Sequence, residues 1–323
     1  MQRCGSSIRA DLGVSVSVNE ALARGLRHRI VSDIEEAEGA SDRLMRVAAR
    51  TCSAPATRKG ARRMFKEQTR IYSRVLLVPP SDLVADRYGV WLCWHVDQAG
   101  VSGWGEIGLV AQVIDLMTGT ARRFALPVQL RGHLIERTFQ RLGTTDPAVV
   151  LAELRPTMLW SLVLGIVLTT IRAMPEGKGL TEPLPFLLPT PAGVVLGDTM
   201  PEWPYLRINT YVGGRRPISA AKARLRAAML SQVSDLTPEA VERIVCGYFA
   251  GLGLQASGGR LGKLHSESAQ ACFNLMKRVS GVLREHRHLL LAKAERDDGI
   301  KRNELLWRWA ELQHRTQCEE VVA

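Results

Sequence analysis

The sequence predicts an α+β fold, an antiparallel sheet with helices in the middle region, flanked by a helical N-terminal arm and a helical C-terminal bundle. Three observations predict it. Apolar residues recur every three or four positions near both ends of the chain, aromatic and β-branched runs fill the middle, and a dense basic block separates the first helical stretch from the first strand. The corresponding boundaries fall at 1–74, 75–214 and 215–323.

Leu22, Leu26, Ile30 and Ile34 form a helical stripe with Asn19 placed to cap it, and a softer stretch from Glu38 to Gly60 follows. Arg58 to Arg74 then reads as a basic helix. After Pro79-Pro80 the run Val90–Val96 predicts a strand, as does Ile107–Ile114; the turn signal Asp115–Thr120 and the run Ala121–Val128 complete an antiparallel meander over 88–128. Helical signals return at Gly132–Leu142 and after Asp146-Pro147, where Asp can cap and Pro can open a helix running to Leu154. The Pro-rich stretch from Pro175 to Pro204 suits edge strands or loops around Phe186–Leu188 and Val194–Leu196, and Tyr205–Val212 alternates as a strand up to Gly213-Gly214. A basic helix over Ser219–Leu230, a capped helix after Thr237-Pro238, a longer one from Ser266 and a last one around Leu305, Trp309 and Leu312 make the C-terminal region.

The chain carries 43 Lys+Arg against 32 Asp+Glu, a net charge of +11, with 46% hydrophobic and 23% charged residues. Those proportions exclude a disordered or collagen-like chain and leave enough apolar residues for a sizeable core. Six cysteines without a CxxC pair argue against a zinc site or a disulfide scaffold, and a reduced, cytoplasmic protein is the simplest reading. The apolar run Met158–Ile171 falls short of the roughly 20 residues a bilayer span takes, so it predicts a buried helix and no membrane association.

Seven basic residues against Glu67 give the segment 58–74 a net +6, more than half of the whole excess. Arg58, Arg62, Lys66, Arg70 and Arg74 recur every four residues, so a helix gathers them into one band, with Lys59 and Arg63 beside it. Such a band neutralises nucleic-acid phosphates with little regard to sequence. A second basic group, Arg215, Arg216, Lys222, Arg224 and Arg226, is expected to help it. The leading expectation is therefore a protein that binds RNA or DNA and needs no cofactor or metal.

His133, Arg137 and Arg141 also recur every four residues, with Leu134, Ile135, Thr138 and Phe139 as the apolar side. Cleavage of RNA by its own 2′-hydroxyl needs a group that handles a proton and cations that stabilise the charged phosphorus centre, which His and Arg can supply without a metal. The segment Gly132–Arg141 resembles the His-x-x-x-Arg-x-x-x-Arg helix of some small toxins of the RelE/ParE-like superfamily. That resemblance implies a metal-independent endoribonuclease, with the strand Arg207–Val212 closing the sheet and Arg207, Thr210 and Tyr211 near the helix. A third expectation is a non-catalytic subunit of a nucleoprotein assembly, with its C-terminal helices, Trp307 and Trp309 included, docking a protein partner.

Other fragments carry less. Asp97, Glu106 and Asp115 fall on or beside the meander, where carboxylates on neighbouring strands can hold Mg²⁺, but no ligand spacing supports a metal. Gly258–Lys263 lacks the leading Gly and the Ser/Thr of a phosphate loop and reads as an interhelical loop. His286 and His288 point to different helix faces, and Trp91, Trp94 and Trp104 are expected in the core.

Overall fold

The computed structural model describes residues 17–51, 58–73, 76–78, 88–97, 106–115, 120–157, 160–161, 163–165, 183, 185–199, 206–236, 240, 244 and 262–285. Helix α1 (Glu20–Thr51) begins where Asn19 Oδ1 accepts the Leu22 amide at 2.8 Å. It runs well past Ile34, the last residue of its apolar stripe. Beyond that point its inner face continues with Ala37, Glu38 and Ser41, and the last two are held by polar partners that an apolar pattern does not register. Helix α2 (Arg58–Tyr72) follows as the charge spacing predicts.

Strands β1 (Leu76–Val78), β2 (Tyr88–Asp97), β3 (Glu106–Asp115) and β4 (Thr120–Leu130) form an antiparallel series, of which β1 was not anticipated. Two helices follow, α3 (Gly132–Leu142) and α4 (Pro147–Leu154), the second capped by Asp146, whose Oδ1 accepts the Ala148 amide at 2.9 Å. Strands β5 (Pro185–Pro189), β6 (Gly193–Thr199) and β7 (Leu206–Gly213) complete a seven-stranded sheet in the order β1-β2-β3-β4-β7-β6-β5. Helices α5 (Ala220–Ser231) and α6 (Gly262–Glu285) are the last described elements.

The sheet is mixed rather than antiparallel throughout, because β4 and β7 pair in parallel from Val128 opposite Leu206 to Leu130 opposite Ile208. Antiparallel neighbours can be joined by a tight turn, whereas a parallel pair needs a crossover, and here α3, α4 and the β5–β6 hairpin lie between the two strands. Only β5 among the Pro-bounded strands is an edge; β6 lies between β5 and β7. Pro127, which cannot donate to a ladder, falls where the β3–β4 register shifts between Gly108 and Val110. Gly262 and Lys263 belong to the first turn of α6 instead of a loop.

Trp91, Trp94, Trp160, Tyr211, Phe139 and Phe186 are among the largest fully buried side chains, and the buried apolar residues form one cluster running from Val18 to Val282. Within Met158–Ile171, Trp160, Val163 and Leu164 are buried in it. Among the described residues no helix is long and apolar enough to cross a membrane. Of the helix expected after Thr237, Ala240 and Ile244 are described and both are helical; its other residues, His286, His288, Trp104, Trp307 and Trp309 lie outside the described residues.

Candidate nucleic-acid interface

Two stripes of identical spacing divide α2. Phe65, Gln68, Thr69 and Tyr72 turn inward: the Phe65 ring lies 4.9 Å from that of Trp91, Trp91 Nε1 donates to Thr69 Oγ1 at 3.3 Å, and Ser41 Oγ donates to Gln68 Oε1 at 3.1 Å. Lys59, Arg62, Arg63 and Lys66 occupy the outer face, all exposed, and line one depression of about 730 Å³. Arg70 belongs to the band by spacing but not by charge, because its guanidinium meets the Glu67 carboxylate at 2.6 Å. That hydrogen bond, with the field of Arg70 and Arg63, holds Glu67 below the usual carboxylate range. The Arg58 side chain and Arg74 lie outside the described residues.

A second basic site forms where α3 meets the turn after β7. Leu134, Ile135, Thr138 and Phe139 bury one side of α3, leaving His133 and Arg137 exposed. Arg137 Nε donates to His133 Nε2 at 3.3 Å, and its Nη1 donates to Gln140 Oε1 at 3.1 Å. The helix ends on Gly143, and the Arg215 amide donates to the Arg141 carbonyl at 2.8 Å while Arg215 Nη2 donates to the Gly143 carbonyl at 3.0 Å. Arg137, Gln140, Arg141, Arg215 and Arg216, with Ser17 and Val18 just before α1, line a cleft of about 340 Å³. Partial burial, then the nearby Arg216 and Arg137 charges, hold the Arg141 guanidinium below the ordinary arginine range.

The structure does not bring Arg207 and Tyr211 together. Residues four apart share a face of a regular strand, but the β6–β7 register shifts between Leu196 and Gly197, so that Asn209 is an extra residue in β7. Arg207 therefore faces the same side as its partner Gln129 in β4, whereas Tyr211 faces the other side with Ile208. Buried Tyr211 donates to Glu153 Oε1 at 3.0 Å, and burial together with that carboxylate pushes its phenol well above the ordinary tyrosine range. Arg207 is half-buried, with Nε enclosed and lacking a hydrogen-bond partner among the described residues.

The second basic segment is likewise divided. Arg226 Nε donates to the Thr190 carbonyl at 2.7 Å and its Nη2 to the Pro191 carbonyl, which fixes the β5–β6 turn instead of a ligand. Lys222 is half-buried, and Arg224 is exposed.

Sequence reasoning missed two polar groupings. Between α1 and the sheet, Glu38 Oε1 lies 2.5 Å from His95 Nδ1, and Arg123 reaches Asp42 at 2.9 Å and Glu38 at 3.7 Å. Under the β5–β6 turn, Glu153 Oε1 accepts the Thr190 hydroxyl at 2.5 Å, the Ala192 amide at 2.8 Å and the Tyr211 hydroxyl. Each joins residues dozens of positions apart, and no local spacing marks them. The carboxylates that spacing did mark cannot share a metal: Asp97 pairs with Glu106 at one end of β3, and Asp115 is nine positions along that strand, about 30 Å at ~3.4 Å per residue. Among the described residues no cluster of metal-ligating side chains occurs. No family model, curated protein or solved structure matches this chain.

Proposed function

We propose that this protein binds nucleic acid through the outer face of α2, using Lys59, Arg62, Arg63 and Lys66 to neutralise phosphates. The observation that carries this reading is the depression those four side chains line together, on a helix whose opposite face is anchored on Trp91 and α1. A rigid helix carrying cations at i, i+3, i+4 and i+7 presents them as one patch, and phosphate contacts of this kind give affinity without base specificity. The anchoring also holds the patch in place, so little backbone order is lost on binding.

Support for a reaction centre is weaker than for a binding surface. Tyr211 is committed to Glu153, and His133 Nε2 takes the Arg137 N–H, so the His/Arg helix offers cations to an anion more readily than a proton acceptor to a hydroxyl. Charge reversal at Arg62, Arg63 and Lys66 tests the reading directly. Binding of mixed-sequence RNA and DNA at low ionic strength is expected to be lost in that variant with the fold intact by circular dichroism; unchanged affinity sinks the proposal.

A further inference from the structure

We infer that the cleft between α3 and the turn after β7 is a phosphomonoester pocket that receives the terminal phosphate of a nucleic-acid strand. The identity of the carrier rests on the nucleic-acid reading; the pocket itself rests on the following geometry.

Its arginines come from two segments separated by 72 residues, and the backbone is shaped to lock them together. Gly143 and Gly214 both adopt φ of 62°, a left-handed conformation that side chains with a Cβ rarely accept. A Cβ on Gly143 would lie 2.0 Å from Cζ of Arg215, and one on Gly214 would lie 2.4 Å from the Arg141 carbonyl oxygen. Close approach of the two segments therefore depends on glycine at both places.

A helix C-terminus ordinarily repels anions, because its last carbonyls carry partial negative charge. Here the carbonyls of Phe139, Arg141 and Gly143 are occupied. The Gly143 amide donates to the Phe139 carbonyl at 2.8 Å, the Arg215 amide caps the Arg141 carbonyl, and the Arg215 guanidinium caps that of Gly143. Among the described residues no carboxylate lines the cleft, so Arg137, Arg141 and Arg216 face one another as like charges. An anion placed among them converts mutual repulsion into charge-assisted hydrogen bonding.

Size and charge select the kind of anion. The cleft, at about 340 Å³, is less than half the volume of the α2 depression and lies near the small end of ligand pockets, which start at about 300 Å³. An internal phosphodiester carries about one negative charge, whereas a phosphomonoester carries about 1.5 to 2 at neutral pH. Three facing arginines, with Arg215 beside them, match the second better, and Val18 gives an apolar wall for the sugar or base that follows.

The test uses the full chain and matched single-stranded RNAs labelled at one end and bearing either a phosphate or a hydroxyl at the other, in both polarities. The phosphate-ended strand of one polarity is expected to bind about tenfold more tightly, as one charge-assisted contact implies. R141Q/R216Q is expected to remove that preference while leaving the hydroxyl-ended affinity unchanged. The α2 variant R62Q/R63Q/K66Q is expected to weaken both strands equally and keep the preference. Arg216 lies at an exposed turn, so R216Q alone serves if the double variant does not fold.

Orthophosphate and adenosine monophosphate provide a second readout, expected to raise the melting temperature of the wild type but not of R216Q. Equal affinity for the two kinds of end overturns the strand-end assignment. If neither RNA binds while adenosine monophosphate still stabilises only the wild type, the pocket stands, its carrier is a free nucleotide and the nucleic-acid reading fails. No end preference together with no stabilisation by either anion overturns the pocket itself.

Discussion

The Glu67–Arg70 pair makes a quantitative prediction about salt. Setting the Glu67–Arg70 pair aside leaves six cations along 58–74, of which Lys59, Arg62, Arg63 and Lys66 line the α2 depression among the described residues. Each phosphate contact on duplex DNA contributes about −0.9 to the slope of log affinity against log salt, so four contacts give about −3.6 and six give about −5.4. Between about 50 and 200 mM salt these slopes correspond to losses of roughly 150-fold and roughly 1,800-fold, which are easily told apart. Fluorescence anisotropy of a labelled duplex with hydroxyl ends isolates the α2 surface. R62Q/R63Q/K66Q, with one contact left, is expected to retain a slope of about −0.9, a loss of only about 3- to 4-fold over the same range. E67Q releases Arg70 and is expected to steepen the slope to about −4.5. A slope that E67Q does not steepen refutes the claim that Arg70 is neutralised.

Three further predictions concern the scaffold. E153A leaves the buried Tyr211 and Thr190 hydroxyls, and the Ala192 amide, without their shared acceptor, and is expected to cost about 2 to 6 kcal/mol in urea unfolding at about 1–3 kcal/mol for each of the two buried hydroxyls; E153Q, which keeps a carbonyl oxygen there, should cost about 1 kcal/mol. G143A forces a left-handed alanine and pushes Arg215 away, so the melting temperature should fall by an amount corresponding to about 1 to 2 kcal/mol, and an unchanged value would count against the interlocked turn. Burial raises the phenols of Tyr72 and Tyr211, so both stay protonated when the unfolded chain begins to ionise near pH 10. Their contribution to stability is fully present below that pH and declines above it; Y211F should show a shallower alkaline decline than the wild type in urea midpoints measured on both sides of pH 10.

Local signals identified those elements whose cause is local. Asn19, Asp146 and Pro147 mark helix starts because a cap acts within two or three residues, and both caps form as expected. Gly132–Leu142 was read to the residue because its apolar side and its terminating Gly143 both lie in the sequence. The second half of α1 was not legible, since Glu38 and Ser41 look like surface residues until His95 and Gln68 arrive from elsewhere. Likewise Arg226 looks like one more phosphate ligand until the β5–β6 turn supplies two carbonyls for it. The candidate site divides the same way: spacing placed Arg137 and Arg141 on one face of α3, but only the fold brings Arg215 and Arg216 to them.

By itself the sequence determined the helical N-terminal arm, the stranded middle, the basic stripe of α2 and the excess of positive charge. All of these follow from residue type and periodicity, which act over a few positions. Tertiary structure decided the parallel pairing of β4 with β7, the bulge that sends Arg207 and Tyr211 to opposite faces, and the sorting of cations into exposed, paired and structural ones. The reason is that a charge is defined by its neighbours. Arg63, Arg70 and Arg226 are the same side chain in the sequence, and they differ only in what the fold places around them.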